Sequence, residues 1–345
     1  MPLLTCFLMF KEKLLIIRFS SFGDVTQCLS VPTVLKTHFP GSQVHWVTRE
    51  DMAPLLEKHP GIDRVWSYSR SQGRRGLFGL AKTLRQEQFT RIYDAHNNLR
   101  SHLITLFLQF PWVGMRPQLL RRSIRRWKRL LLFKFRINTF QQPFSGQRDL
   151  LEPLQAWGLS LDLPSTPQLF LESSEILNAK RGLPETFIAL APSAAFELKR
   201  WPLAHWQNLI LSLPSQNFVL LGGPEDHFLE KLVASSPDRV FNLAGKTNLR
   251  QSAAVIASAT ALVSNDTGLL HVGEQLGRPS IALMGPAPFG FPSRLSTKIL
   301  QVNLPCRPCS KHGQGPCVNP NFQQCLKDIS PAQVRHELLK FLEIF

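Results

Sequence analysis

The chain has 345 residues, 43 % of them hydrophobic, and 40 Lys and Arg against 24 Asp and Glu, a formal net charge of +16. That length is enough for two domains of ordinary size, each with its own core, and the lack of an apolar run of about 18 residues argues against a membrane-spanning helix. The charge excess calls for an anionic partner, such as nucleic acid, an acidic membrane surface or a phosphorylated substrate, without choosing among them.

Met1 to Phe10 is apolar, but Lys11 and Lys13 follow it, the reverse of the order in a secretory leader. The segment reads as a short extension before the first strand, with Met9 as a candidate start and a cytoplasmic location expected. Leu14 to Phe19 is a buried-strand run, Val25 to Phe39 carries a helical pattern, and Val44 to Val47 is the next strand. A helix near Met52 to Lys58, a strand at Arg64 to Trp66, a helix from Leu77 to Gln88, a strand at Arg91 to Tyr93 and a helix from Leu99 to Phe110 continue the series. Pro153 to Glu185 is richer in Pro, Ser and polar residues and marks a connection.

The alternation restarts with a strand at Phe187 to Ala191, a helix from Leu203 to Leu213 and a strand at Asn217 to Leu221 that ends at Gly222-Gly223. Helices near Glu225 to Ala234 and Leu249 to Ala259 lead to the apolar run Ala261-Leu262-Val263. A polar turn, Ser264 to Gly268, opens the amphipathic stretch Leu269 to Leu276, which closes at Gly277 before a strand at Ile281 to Met284. A helix from Pro331 to Phe345 ends the chain. Strands alternating with helices at this spacing predict parallel sheets covered by helices, an α/β fold of two Rossmann-like halves with a cleft between them. The boundaries expected are 1–165 for the first domain, 166–185 for the connection, 186–328 for the second domain and 329–345 for a final helix that can cross back to the first domain.

Several loops at strand ends could carry chemistry. Asp266-Thr267-Gly268 opens a helix whose unpaired N–H groups and partial positive charge suit an anion, with His271 one turn in. In Ser20-Ser21-Phe22-Gly23-Asp24, Asp24 reads either as a helix-capping residue or as a cleft-facing carboxylate able to take a proton from a hydroxyl. Ala191 to Ala195 places small residues, with Ser193, after a strand, and Lys199-Arg200-Trp201-Pro202 offers a point charge for a diphosphate. Gly222-Gly223-Pro224-Glu225 reads first as a turn with an acidic residue in the first turn of a helix.

In chain order these motifs resemble glycosyltransferase family nine, the ADP-heptose:lipopolysaccharide heptosyltransferases. The matching residues are the S-x-G-D loop at Ser21 to Asp24, the D-x-x-x-x-x-R-S segment at Asp94 to Ser101, the K-x-W-P motif at Lys199 to Pro202 and the DTGxxH signature at Asp266 to His271. The resemblance implies a GT-B-type fold and an inverting transfer of heptose from ADP-heptose to a lipopolysaccharide core acceptor of the Kdo-lipid A type. Asp24 would then be the general base and Lys199 the residue on the departing diphosphate. Ser193, Glu225, Asp266, Thr267, Gly268 and His271 would bind the donor, with Glu225 on the nucleoside, and Asp94, Asn98 and Arg100 would face the acceptor. Ala194-Ala195 stands where some relatives carry hydroxyl residues, so hydrogen bonds to phosphate from those two side chains are not expected.

No D-x-D motif is present, and the scheme uses no cofactor and no divalent ion. The alternatives are a glycosyltransferase using another nucleotide sugar, or a basic non-enzyme that binds nucleic acid or nucleotide. The motif order favours the transferase, with no nucleic acid expected. Arg116 to Arg136 reads as a basic helix with interfacial Trp127, suited to the inner face of an anionic membrane or to a phosphorylated lipid head group, against the plainer reading of a solvated helix. Cys306, Cys309, Cys317 and Cys325, with His312 as a spare ligand, are weak zinc candidates; free thiols or a labile disulfide fit the spacing equally well. Cys6 and Cys28 read as structural.

Overall fold

The computed structural model describes residues 12–110, 116–142 and 144–343; the expectations for Met1 to Phe10, Met9 and Cys6 fall outside them. The first half holds a five-stranded sheet: β1 (Lys13–Ile17), β2 (Gln43–Arg49), β3 (Arg64–Tyr68), β4 (Arg91–Asp94) and β5 (Gln118–Arg121), in the spatial order β3-β2-β1-β4-β5. The second half holds six: β6 (Ile188–Ala191), β7 (Phe218–Leu220), β8 (Val240–Asn242), β9 (Ala261–Asn265), β10 (Ser280–Met284) and β11 (Thr297–Gln301), in the order β11-β10-β9-β6-β7-β8. Every pairing is parallel, as in Ile16↔Trp46 and Leu15↔Ile92 around β1 and Ala189↔Leu262 between β6 and β9. Parallel strands buried on both faces need near-continuous apolar runs, and this is how β1, β6 and β10 were legible in the sequence.

Alternation along each central strand divides its side chains between two cores. Leu14 and Ile16 of β1 and Ala189 and Ala191 of β6 face one apolar mass shared by both halves, together with Val25, Leu262 and Val272. Leu15 and Ile17 face an outer core under the helices Gly73–Gln86 and Leu99–Gln109, and Ile188 and Leu190 face a second outer core with Trp201 and Trp206. In both sheets the order reverses beside the first strand, between β1 and β4 and between β6 and β9. Ligand loops gather at such switch points, so topology alone brings the loops after β1, β4, β6 and β9 to one cleft.

Four expectations change. The helical pattern at Val25 to Phe39 is split into helices Phe22–Gln27 and Ser30–His38, the first starting early enough to hold Asp24 in its first turn. The helix near Met52 to Lys58 is a 3-10 turn, Glu50–Leu55, containing Pro54, which lacks the N–H a helix interior needs. The basic stretch is not one helix: Gln118 to Arg121 pairs with Arg91 to Asp94 as the edge strand β5, and helix starts only at Arg126, running to Phe135. The helix Pro331–Leu342 does not cross back; it lies on helix Leu203–Leu211 and strands β9 and β10, burying Val334 and Leu338 in the second half's outer core. No helix among the described residues is long and apolar enough to cross a membrane.

Candidate active site

Asp24 sits where a helix start meets a buried cation. Ser21 is the N-cap of helix Phe22–Gln27 and Asp24 is its third residue. Asp24 Oδ2 accepts hydrogen bonds from Ser21 Oγ (2.7 Å) and Ser21 N (3.2 Å), while Oδ1 lies 2.8 Å from Arg18 Nη2 and 4.0 Å from Arg122 Nη1. Asp24 is thus not the N-cap itself but the N3 partner of Ser21 in a capping box, with its other oxygen turned to the two arginines. Burial alone would raise this carboxyl, but the Arg18 and Arg122 guanidinium charges and the Ser21 hydrogen bonds outweigh it, holding the group well below the usual carboxylate range. Its side chain keeps 39 % of its surface open to the cleft.

Arg18 was missed because it closes an apolar run; a single charge in an otherwise buried strand was its only signal. It is 4 % exposed and donates through Nη1 to Ala95 O. Arg122 is held by Asp149, with Nε at 3.1 Å and Nη2 at 3.0 Å from Oδ2. Burial works against that guanidinium's charge, but Asp149 and Asp24 more than restore it.

The second half supplies the facing wall. Thr267 caps helix Gly268–Leu276, its Oγ1 accepting from Leu269 N (3.1 Å). Lys199, ending the turn Glu197–Lys199, reaches Asp266 Oδ2 at 2.6 Å. That turn is anchored behind the cleft, where Trp201 N donates to Asn265 Oδ1 (3.1 Å) and Trp201 Nε1 to Ile329 O (2.8 Å). Gly313, at φ +81°, lies against the lysine stem; a Cβ there would come 2.7 Å from Lys199 Cγ.

The two helix starts approach through glycines. A Cβ on Gly268 would fall 2.2 Å from Phe22 Cδ1, and one on Gly23 would fall 3.3 Å from Gly268 Cα. His271 spans the seam, Nδ1 donating to Glu274 Oε2 (2.8 Å) and Nε2 accepting from the Gln27 amide (2.9 Å). Both ring nitrogens are thus occupied, and His271 joins the halves instead of offering an N–H to a donor.

Two connected cavities result. The one at Asp24, about 590 Å³, is lined by Asp24, Asn98, Lys199, Asp266, Thr267, Gly268 and His271 among others. The other, about 900 Å³, is lined by Ser193, Gly222, Gly223, Glu225, Thr247 and Leu249 among others. They share Ala195, Thr267 and Gly268. The second is the more apolar in its walls, suited to a flat ring system, and Ser193 Oγ is buried there with no hydrogen-bond partner among the described residues. Asp226, next to the expected Glu225, is engaged in the turn, accepting from Gly223 N at 2.7 Å.

The acceptor-side residues separate. Asn98 lines the Asp24 cavity, as does His96, whose ring burial and the charges of Arg18 and Arg100 pull down to about 4. Asp94 is fully buried; its carboxylate accepts from Asn97 N (2.7 Å) and Ser101 Oγ (2.8 Å), which makes it the support of the loop and not a ligand contact. Arg100 lines neither cavity and lies over the Phe19 ring.

The four cysteines Cys306, Cys309, Cys317 and Cys325 line one small cavity behind the Lys199 turn, as free thiols. Burial pushes Cys325 up to about 11 and raises Cys309, which favours the protonated form. Among the described residues no three His, Cys, Asp or Glu are arranged to hold a metal ion, and His312, the spare zinc ligand, lines the Asp24 cavity instead. Cys28 is buried in the shared core, its thiol pushed up to about 12 by burial.

Comparison with known proteins gives the family and the fold. The chain is 29 % identical to lipopolysaccharide heptosyltransferase 2 of Salmonella typhimurium, over 96 % of this chain and 98 % of that one. The solved ADP-heptose lps heptosyltransferase II of E. coli superposes with a TM-score of 0.73 at 25 % identity, covering 96 % of this chain and 98 % of that one. A family 9 glycosyl transferase from Veillonella parvula gives a TM-score of 0.77 at 19 % identity over 97 % and 98 %, a likeness of fold. The family model for glycosyltransferase family 9 (heptosyltransferase) matches residues 77–322, and the chain therefore belongs to that family of enzymes.

Proposed function

We propose that the chain transfers a heptose from ADP-heptose to a lipopolysaccharide core precursor, with inversion at the anomeric carbon. The observation that carries the reading is the pair of cavities meeting at Thr267 and Gly268, with Asp24 in one and the apolar nucleoside-sized space in the other. The adenosine lies between Gly222-Gly223 and Thr247 to Leu249, near Glu225. The diphosphate lies at the start of helix Gly268–Leu276, within reach of Ser193, Thr267 and Lys199.

Asp24 accepts the proton of the acceptor hydroxyl as that oxygen bonds to the anomeric carbon. The bond from that carbon to the phosphate oxygen breaks, and ADP leaves with the electron pair. A carboxylate held so low is a weak base, so the proton moves late, once bond formation has acidified the hydroxyl. Lys199 and the helix start meet the charge growing on the leaving diphosphate.

The test is ADP release from ADP-heptose, with and without a heptose-deficient lipopolysaccharide acceptor. Acceptor-dependent release, undiminished by EDTA, is expected. Release that requires Mg²⁺ would overturn the metal-free scheme, and ADP binding without turnover would point to a different donor.

The enzyme is further read as a cytoplasmic one that works at the inner membrane surface. Leu99, Leu103 and Leu106 are solvent-facing on one helix, and Trp127, 77 % exposed, stands among Arg126, Lys128 and Lys134 on another. Apolar anchors amid cations suit an anionic bilayer. Cosedimentation with phosphatidylglycerol vesicles should fall at least several-fold in Trp127→Ala combined with Lys128→Gln and Lys134→Gln. Equal binding by the variant would remove this surface from the reading.

A further inference from the structure

One set of basic groups in the cleft has no direct ion-pair partner among the described residues. Around the Asp24 cavity, Arg18 faces Asp24, Lys199 faces Asp266 and Arg122 faces Asp149. Three more basic groups line the same cavity: Arg129, from helix Arg126–Phe135, and Lys311 and His312, from the loop between Cys309 and Cys317. Among the described residues none of these three side chains has an ion-pair or hydrogen-bond partner, and Arg129 Nε is buried without an acceptor. They also oppose one another's charge. Burial and then Arg122 pull Arg129 down against Asp149 and Asp24, burial and then Arg129 pull Lys311 down, and burial followed by Lys311 and Lys199 pulls His312 down against Asp24, leaving it a neutral hydrogen-bond donor at neutral pH.

Keeping basic groups this close is unfavourable unless an anion answers them, although Lys311 and His312 are themselves exposed and only Arg129 is half-buried. The arrangement is nevertheless fixed in place. The Arg129 guanidinium lies 5.1 Å from the centroid of the Phe289 ring, and Phe289 packs edge-on against Phe140 and Phe144 at 5.1 and 5.2 Å. Arg136 Nη1, at the far end of the same helix, donates to Pro308 O (2.7 Å), just before the loop that carries Lys311. The cluster is thus assembled from both halves of the molecule, and none of its members lines the nucleoside cavity.

We infer that Arg129, Lys311 and His312 form a second anion subsite, distinct from the diphosphate position, which holds a phosphate group of the acceptor while Asp24 faces its hydroxyl. Three donor side chains lining one cavity suit a phosphate, with its charge near −2 and three acceptor oxygens, better than a single carboxylate. The inference rests on the nucleotide-sugar reading above, and the experiment separates the two. Inorganic phosphate is titrated calorimetrically into wild-type protein, Arg129→Gln and Lys311→Gln, each first saturated with ADP. Wild type should bind phosphate beside ADP. Each variant should lose about 10-fold or more of that affinity, the scale of one charged hydrogen bond, while its affinity for ADP stays within about twofold. In turnover the same variants should raise the acceptor KM and leave the donor KM unchanged. Phosphate binding that ADP abolishes in wild type, or that neither variant weakens, would overturn the subsite while leaving the nucleotide reading intact. Failure of wild type to bind ADP at all would overturn both. Lys311 lies on a surface loop, so its variant remains informative if Arg129→Gln folds poorly.

Discussion

Asp24→Asn is expected to lower kcat by about 10³-fold, within the ~10²–10⁴ that a positioned general base contributes, while ADP binding survives because no Asp24 atom belongs to the nucleoside cavity. The amide keeps a carbonyl oxygen for Ser21, so the helix start persists, but it cannot take the proton. The same geometry makes a pH prediction. Because Asp24 is ionised well below the ordinary range, kcat/KM should show no acidic limb from this group between about pH 4 and 6, where an unperturbed carboxylate begins to protonate.

Stability follows with a definite sign. A carboxyl lower in the folded than in the unfolded state stabilises the fold above its unfolded value and loses that contribution as the pH falls through its folded value. Asp24→Asn also leaves the Arg18 guanidinium, 4 % exposed, without its partner charge. The variant should therefore melt below wild type at neutral pH, with the gap narrowing below about pH 4. A Tm gap independent of pH would show that the Asp24 charge does not hold the fold, and loss of ADP binding along with turnover would make Asp24 a structural residue and not the base.

Lys199→Gln is expected to cost about 10²–10³ in kcat, the scale for removing one group that meets developing charge in a transition state, and to raise the donor KM as well. The second effect comes from Asp266. Its carboxylate is 7 % exposed and lies 2.6 Å from Lys199 Nζ, beside the helix start where the diphosphate is placed. Without the lysine an unopposed carboxylate repels the donor. The double variant Lys199→Gln with Asp266→Asn should recover donor KM but not kcat, which separates removal of repulsion from loss of leaving-group stabilisation. Recovery of kcat in the double variant would show that Lys199 acts only by neutralising Asp266.

The sequence by itself determined the architecture and the outline of the site. Continuous apolar runs such as Leu14 to Ile17 and Ile188 to Ala191, short and alternating with helical patterns, read as parallel strands buried on both faces. Short polar loops after such runs, Ser20 to Asp24 after Leu14 to Ile17 and Asp266 to Gly268 after Ala261 to Asn265, are where such a fold presents ligands. Local signals erred where a pattern served two purposes. Arg116 to Arg136 has a helical distribution of cations, but an open sheet edge beside β4 captured Gln118 to Arg121, and Asp149 drew Arg122 inward. Helical spacing likewise ran through Val25 to Phe39, although the helix breaks at Cys28-Leu29.

Tertiary structure alone decided which charges face each other. The pairing of Arg18 with Asp24, of Lys199 with Asp266 and of Gln27 with His271 joins residues that no local pattern connects. It decided that Asp94 supports a loop and that His312 belongs to the cleft and not to the cysteines. Hydrophobic periodicity is a property of neighbouring residues, whereas charge compensation depends on distances set by how the two sheets pack through Gly23 and Gly268.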